Sequence, residues 1–289
     1  MANFKLDVDA DGIALITWDM PDRSMNVITL DAIEELSALV DKVTNDATIK
    51  GVVITSGKEA FCGGADLTML ERMGALYAGM MKNEGELAAA KFIYEESRKL
   101  SQLYRRIETG GKDRDPKDKN AAPGKPWVCA LNGTAMGGGF ELALACHHRV
   151  AADNPKTRLG LPEIKIGLFP GAGGTQRVAR MMQPADALQF LLKGDQLKTD
   201  RAKAMKLIDN VVPQADLIQT AKDWIKAGGK AEAPWDVKGF KLPGGPVYSK
   251  AGMMTFPPAN AIYRRETYDN YPAARAILQV VYEGLQLPM

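Results

Sequence analysis

Histidine is nearly missing from this chain: two in 289 residues, adjacent at His147 and His148. Neighbouring side chains do not readily converge on one metal ion, and no cysteine cluster accompanies them. They read instead as residues at a helix C-terminus, facing the negative end of its dipole. Cysteine is scarce too. Cys62, Cys129 and Cys146 are odd in number and far apart, which speaks against a disulfide framework and against a clustered zinc site. That usage fits a reducing compartment, and a cytoplasmic location is expected. Neither sign of charge dominates: 37 Lys and Arg oppose 35 Asp and Glu, leaving +2. Such a balance gives no general attraction to nucleic acid or to a membrane surface. No stretch approaches the roughly 18 uninterrupted apolar residues of a membrane span, no basic-then-apolar leader follows Met1, and no internal repeat is visible.

What remains is the balance of a globular protein, 46% hydrophobic and 25% charged, long enough for one large domain or one domain with an appendage. Its focus is Ala135–Cys146, where Gly137, Gly138 and Gly139 lead into an apolar helical run with Glu141 in the first turn. Glycine permits positive φ and brings backbone N–H groups close to a ligand, and the first amides of a helix lack internal partners. This suits an oxygen that gains negative charge. Beside Leu142, Leu144 and Cys146, the Glu141 carboxyl borders an apolar wall that would raise its proton affinity. The same stretch also fits a plain glycine-rich helix start in which Glu141 complements the dipole.

Elsewhere the pattern is α/β. Phe4, Leu6 and Val8 alternate, Asp11-Gly12 turns, and Ile13–Trp18 completes a hairpin. Residues 31–43 read as a helix with a capping box from Asp31 to Glu34, and 51–55 as a strand buried on both faces. A second strand–glycine–helix junction follows through Gly63, Gly64, Ala65, Asp66 and Leu67, chemically parallel to the first. Residues 67–108 read as helical, weakened at Gly74, Gly79 and Gly85; 110–125 reads as a polar surface loop, and 126–131 as another buried strand. A second isolated acid, Glu163, sits in the apolar stretch 159–171, and helices are expected over 174–182, 185–192, 201–207 and 216–227. Segment 228–258 is rich in Gly, Pro and Lys, and helices broken near Pro272 close the chain. The expected division is a domain over 1–227, including loop 110–125, then a connection and C-terminal helices over 228–289.

A carbonyl held between the two glycine junctions would be polarised, at roughly 3 kcal/mol per donor, while Glu141 and Glu163 could divide acid and base roles. Phe61–Leu67, Gly133–Glu141, Pro162-Glu163 and Gly167–Gln176 together resemble the crotonase (enoyl-CoA hydratase/isomerase) superfamily over about residues 4–227. The tail around Tyr271-Pro272-Ala273 and Ile277–Gly284 is similar to the linker helix of multifunctional fatty-acid oxidation α-subunits, whose hydratase half precedes a 3-hydroxyacyl-CoA dehydrogenase half. No strand-linked Gly-x-Gly-x-x-Gly is found: Gln176 stands where the last glycine of Gly171-Ala172-Gly173-Gly174 would belong.

The resemblance implies a spiral of ββα turns with a helical C-terminal region, and an acyl-CoA thioester as substrate with no metal or redox cofactor. It implies an oxyanion hole from the N–H groups of Ala65 and Gly138, with Glu141 deprotonating a water that attacks C3 of a 2-enoyl-CoA and Glu163 protonating C2. Gly63, Asp66, Leu67 and Thr68 fall along the CoA and acyl channel; Gly63 replaces a more usual alanine, and Thr68 stands where some hydratases carry a phosphate-binding lysine. Lys58 is a candidate for that contact, or a solvated surface residue. The implied assembly is a trimer or hexamer for a stand-alone chain, or association with a thiolase for a fused α-subunit. Enoyl-CoA hydratase activity in fatty-acid β-oxidation is the leading expectation, and Δ3,Δ2-enoyl-CoA isomerisation the runner-up, alone or alongside it. Methionines 69, 73, 80 and 81 read as core filler or as a flexible acyl wall. A non-catalytic or RNA-binding relative, motivated by Arg98, Lys99, Arg105 and Arg106, is disfavoured by the neutral charge balance.

Overall fold

The computed structural model describes residues 2–111 and 124–289; most of the expected loop 110–125 lies outside the described residues. In chain order the elements are β1 (Phe4–Val8), β2 (Ile13–Trp18), α1 (Leu30–Asn45), β3 (Gly51–Ser56), α2 (Leu67–Asn83), α3 (Glu86–Glu108), β4 (Trp127–Leu131), β5 (Ala135–Met136), α4 (Gly138–Ala145), β6 (His148–Ala152) and β7 (Leu159–Gly160). There follow α5 (Gly174–Met181), α6 (Pro184–Lys193), β8 (Gln196–Leu197), α7 (Thr199–Ala204), β9 (Asn210–Val212), α8 (Leu217–Lys226), α9 (Lys250–Thr267) and α10 (Pro272–Gly284).

A six-stranded sheet runs β1-β2-β3-β4-β6-β9, with only the β1–β2 hairpin antiparallel. The apolar continuity of β3 and β4 has a direct cause: both sheet faces are covered. Val53, Val128, Ala130 and Val150 point to one side, where Leu217, Ala221 and Ile225 of α8 meet them. Val52, Ile54, Cys129 and Leu131 point to the other, into the main core with α1, α3 and α4. A smaller sheet, β5-β7-β8, sits beyond. Because β3 and β4 are parallel neighbours, the segments leaving their C-terminal ends emerge side by side, where open α/β sheets place ligands.

Several local expectations are corrected. Helix α1 is capped by Thr29, whose hydroxyl accepts from the Ala32 N–H at 3.2 Å, in place of an Asp31–Glu34 box. Helix α2 runs through Gly74 and Gly79; the break falls at Gly85, where φ is 93°. The histidines do not end a helix. Helix α4 stops at Ala145, His148 opens β6, and His147 Nδ1 accepts from the Trp127 N–H at 2.9 Å. Helix α9 begins at Lys250 and carries Pro257 and Pro258 inside it, anchored by buried Phe256 and Tyr263. Segment 228–258 is thus part connection, part helix. Ile277, Leu278 and Val281 of α10 join the same core cluster as Val178 of α5 and Leu188 of α6.

Candidate active site

The two glycine junctions meet. Cys62 and Ala135 form an isolated parallel bridge, the Met136 N–H donates to Cys62 O at 2.9 Å, and the Gly137 N–H donates to Gly160 O at 2.9 Å. Gly137 takes φ 52° and ψ −133°, which a side chain strongly disfavours. A Cβ on Gly139 would lie 2.5 Å from the Cβ of Cys62, so the junctions approach this closely only because residue 139 has none. Asn26, wholly buried and not singled out from the sequence, laces the first junction. Its amide donates to Trp18 O, Ser56 Oγ and Phe61 O, its side-chain oxygen accepts from the Met20 N–H, and its backbone O accepts from the Gly63 N–H.

Among the described residues neither the Ala65 nor the Gly138 N–H donates a hydrogen bond, although the bonds around them are filled: Gly64 O accepts from Ile28 N–H and Ile28 O accepts from Asp66 N–H. Tyr104, buried on α3, donates its hydroxyl to Gly138 O at 3.0 Å and holds that peptide in place.

Glu141 is 2% exposed. Its Oε1 accepts from the Ala172 N–H at 2.9 Å and the Gly174 N–H at 2.7 Å, the turn that opens α5. Burial raises its pKa, while those two amides and the Arg177 guanidinium favour the carboxylate. Glu163 stands on a 3-10 turn (Glu163–Ile166) following β7. Its Oε2 is buried without a hydrogen-bond partner among the described residues, and burial together with the Glu141 charge pushes its pKa up to about 8. Of the two, Glu141 alone has amides and a guanidinium that favour its charged form, whereas burial and the neighbouring carboxylate hold the proton on Glu163. A Cβ built on Gly137 would lie 3.2 Å from Glu163 Oε1, and one on Gly138 would lie 3.9 Å from Glu141 Oε2. Two carboxyl groups in unlike surroundings thus flank consecutive residues of the glycine turn.

The other sequence candidates are placed less alike. Asp66 caps α2, accepting from the Met69 N–H at 3.1 Å and pairing with Arg23 at 2.8 Å; that amide and Arg23 hold its carboxyl below the usual range. Leu67 and Thr68 are exposed at the start of α2. The Cβ missing from Gly63 would meet the mobile end of Met25 at 2.9 Å, so the Met25 side chain fills the space of an alanine methyl. Lys58 is engaged by Asp19 at 2.7 Å. The basic residues of α3 are likewise committed: Arg98 to Tyr94, Lys99 to Glu96, Arg106 to Asp41, and Arg105 bidentately to Asp236 as well as to Glu108. Arg105 is thereby paired on two sides. The Ala172 and Gly174 amides, Arg177 and Tyr104 carry no side-chain pattern that marks them in the sequence. An arginine inside the buried stretch Thr175–Ala179 was the one signal available. Among the described residues no group of three or more His, Cys, Asp or Glu is gathered as for a metal ion.

Solved structures share this arrangement of elements. An enoyl-CoA hydratase of Bacillus anthracis superposes with a TM-score of 0.61 at 24% identity, covering 98% of this chain and 90% of that one. A second, from Geobacillus kaustophilus, gives 0.63 at 22% identity over 99% and 88%. The fold is crotonase-type, mixed α/β with a helical C-terminal region. The family model described as enoyl-CoA hydratase/isomerase matches residues 9–92 and 114–232, and the chain belongs to that family. Among curated relatives, the fatty acid oxidation complex subunit alpha of Shewanella amazonensis is 36% identical over 287 residues, and that of Shewanella loihica 35% over 286. Both matches cover 98% of this chain, which spans only 36% of the length of either relative. No helix among the described residues is long and apolar enough to cross a membrane.

Proposed function

We propose that the chain is an enoyl-CoA hydratase, adding water across the C2=C3 bond of a trans-2-enoyl-CoA to give the 3-hydroxyacyl-CoA. The observation that carries this reading is the unequal setting of two acids beside one glycine turn: Glu141 Oε1 accepts from two backbone amides, while Glu163 Oε2 is buried with no hydrogen-bond partner among the described residues. In the proposed cycle the thioester oxygen accepts from the Ala65 and Gly138 N–H groups. Glu141 takes a proton from water as its oxygen bonds to C3; the enolate charge collects on the thioester oxygen, and Glu163 gives its proton to C2 on the same face. The pair then holds its proton on Glu141 and returns it to Glu163 through the next water. Each amide lost from such an oxyanion site costs roughly 3 kcal/mol, and each acid–base partner contributes about 10²–10⁴ in rate. The CoA thioester is substrate, and the chemistry asks for no metal or redox group.

The family description also names isomerases. A Δ3,Δ2-enoyl-CoA isomerase needs chiefly one acid, and the buried Glu163 Oε2, without a hydrogen-bond partner among the described residues, favours that as a second activity of the same pocket. A chain-length series of 2-enoyl-CoA and 3-enoyl-CoA substrates with Glu141→Ala and Glu163→Gln decides. Hydration lost in both variants supports the proposal. Wild type without hydration, and isomerisation undiminished in Glu141→Ala, would replace it with the isomerase. A dehydrogenase half and a thiolase partner belong to the proposal for a longer protein, and a homo-oligomer to that for this chain alone; molar mass in solution separates them.

A further inference from the structure

Behind Glu141 stands a buried chain of charges that the proposed chemistry does not use. Arg177, 1% exposed on α5, donates from Nη1 to Ala172 O at 2.7 Å and from Nε to Glu108 Oε1 at 2.7 Å. Glu108, also 1% exposed, takes Arg105 Nη1 on its other oxygen at 2.5 Å, and Arg105 reaches Asp236 bidentately at 2.8 and 2.6 Å. The guanidinium lies directly under the turn that grips Glu141: a Cβ on Gly173 would come 2.5 Å from Arg177 Nη1. Ala172 is bound from both sides, its O by Arg177 and its N–H to Glu141 Oε1.

We propose that Arg177 is a positioning residue, which, anchored on Glu108, holds the Ala172–Gly174 turn and with it the Glu141 carboxyl in place, and lends its charge to the carboxylate form. This rests on the hydratase reading for its catalytic consequence, though not for its structural one. The Arg177–Glu108 pair is neutral as a whole, but its guanidinium end lies under the turn that grips Glu141 and favours the carboxylate form, an influence that is strong where water is excluded. The charged or titratable groups facing Glu141 from other elements do not supply this. Glu163 opposes ionisation, Tyr104 is a neutral phenol bonded to Gly138 O, and the Cys62 thiol, pushed up to about 12 by burial, stays protonated.

The test separates charge from geometry. In Glu108→Gln/Arg177→Gln both buried charges go, so neither is left orphaned. Arg177→Lys keeps the charge but offers a single point donor in place of the fork. Hydration of a 2-enoyl-CoA is followed across pH. The double variant is expected to lose at least about tenfold in kcat, with KM changed less than about threefold, and its acid-side limb should move up by about one pH unit. Arg177→Lys should lose kcat with that limb near its wild-type position. Thermal melts report folding. A double variant that folds with wild-type kcat and limb, or a loss residing wholly in KM, overturns the proposal; so does an Arg177→Lys enzyme with wild-type kcat. If the wild type hydrates no enoyl-CoA, the hydratase reading fails alone. The carboxylic-acid band of Glu141 in the infrared, identified by its disappearance in Glu141→Gln, must still titrate at higher pH in the double variant, and an unmoved band refutes Arg177's role.

Discussion

Gly174 offers the sharpest perturbation, because one methyl group reaches the Glu141 carboxyl, the proposed base, without altering its chemistry. Its φ is not in the left-handed region, so alanine fits the backbone there, and the peptide N–H that donates to Glu141 at 2.7 Å is retained. The new Cβ, however, would stand 2.8 Å from Glu141 Oε1, 2.9 Å from its Cγ and 2.9 Å from Leu161 Cδ1. Ordinary van der Waals contact begins near 3.4 Å, so the carboxyl must yield by about 0.6 Å. Leu161 can give at its terminus, but Glu141 is boxed in by Ala172 N–H on the other side. Overpacking of this kind costs about 1–3 kcal/mol of stability, and a displacement approaching 1 Å at a reacting group costs on the order of 10²-fold in rate. Gly174→Ala is therefore expected to fold with a lowered melting temperature and to lose roughly 30–100-fold in kcat for hydration, with KM little changed. Gly171→Ala is the control: exposed, not in a positive-φ conformation and with no atom within 4 Å of its Cβ, it should differ from wild type by less than about 0.5 kcal/mol and keep full activity. Wild-type kcat in a folded Gly174→Ala enzyme would refute the placement of Glu141 as the base.

The pH dependence follows from the direction of each shift. With its pKa at about 8, Glu163 loses its proton above that value, so hydration should fall on the alkaline side near pH 8; a plateau continuing past pH 9.5 would show that Glu163 is not the acid. The same group bears on stability: its folded pKa is raised from 4.5, so its contribution is fully present below about 4.5 and is lost as pH rises to about 8. Chemical denaturation at pH 5 and 8 should show a smaller loss in Glu163→Gln than in wild type. His147 has the opposite sign, because burial lowers its pKa from 6.5 to about 4 and the unfolded chain takes the proton first, so it withdraws stability as pH falls from 6.5 towards 4. Asn26→Ala leaves Trp18 O, Phe61 O and the Met20 N–H without their side-chain partner and should cost about 2–4 kcal/mol by urea titration, against less than about 0.5 kcal/mol for a surface alanine substitution.

The β1–β2 hairpin, the unbroken apolar runs of β3 and β4 and the helical periods of α1 and α8 were legible in the sequence because each rests on local pattern, although Val8, part of the alternation in β1, is exposed. Positions set by backbone detail were not. Thr29 in place of Asp31 as cap, and the His147-His148 pair outside the helix, turn on one residue's dihedral, which no composition reveals. Pro257 and Pro258 fell in the expected connection 228–258, yet packing of Phe256 and Tyr263 carries α9 through them.

By itself the sequence determined which residues are suited to the chemistry: glycines where a side chain cannot stand, and two acids, Glu141 and Glu163, in apolar surroundings. Only the tertiary structure decided what those acids are. Their 22-residue separation says nothing about distance, and the difference between them comes from partners distant in the chain: Ala172, Gly174 and Arg177 around Glu141, and for Glu163 a buried oxygen with none among the described residues. A proton's place depends on local solvation and on the charges and dipoles within a few ångströms. Those are assembled by the meeting of β5, β7 and the start of α5, and no single stretch of the chain contains them.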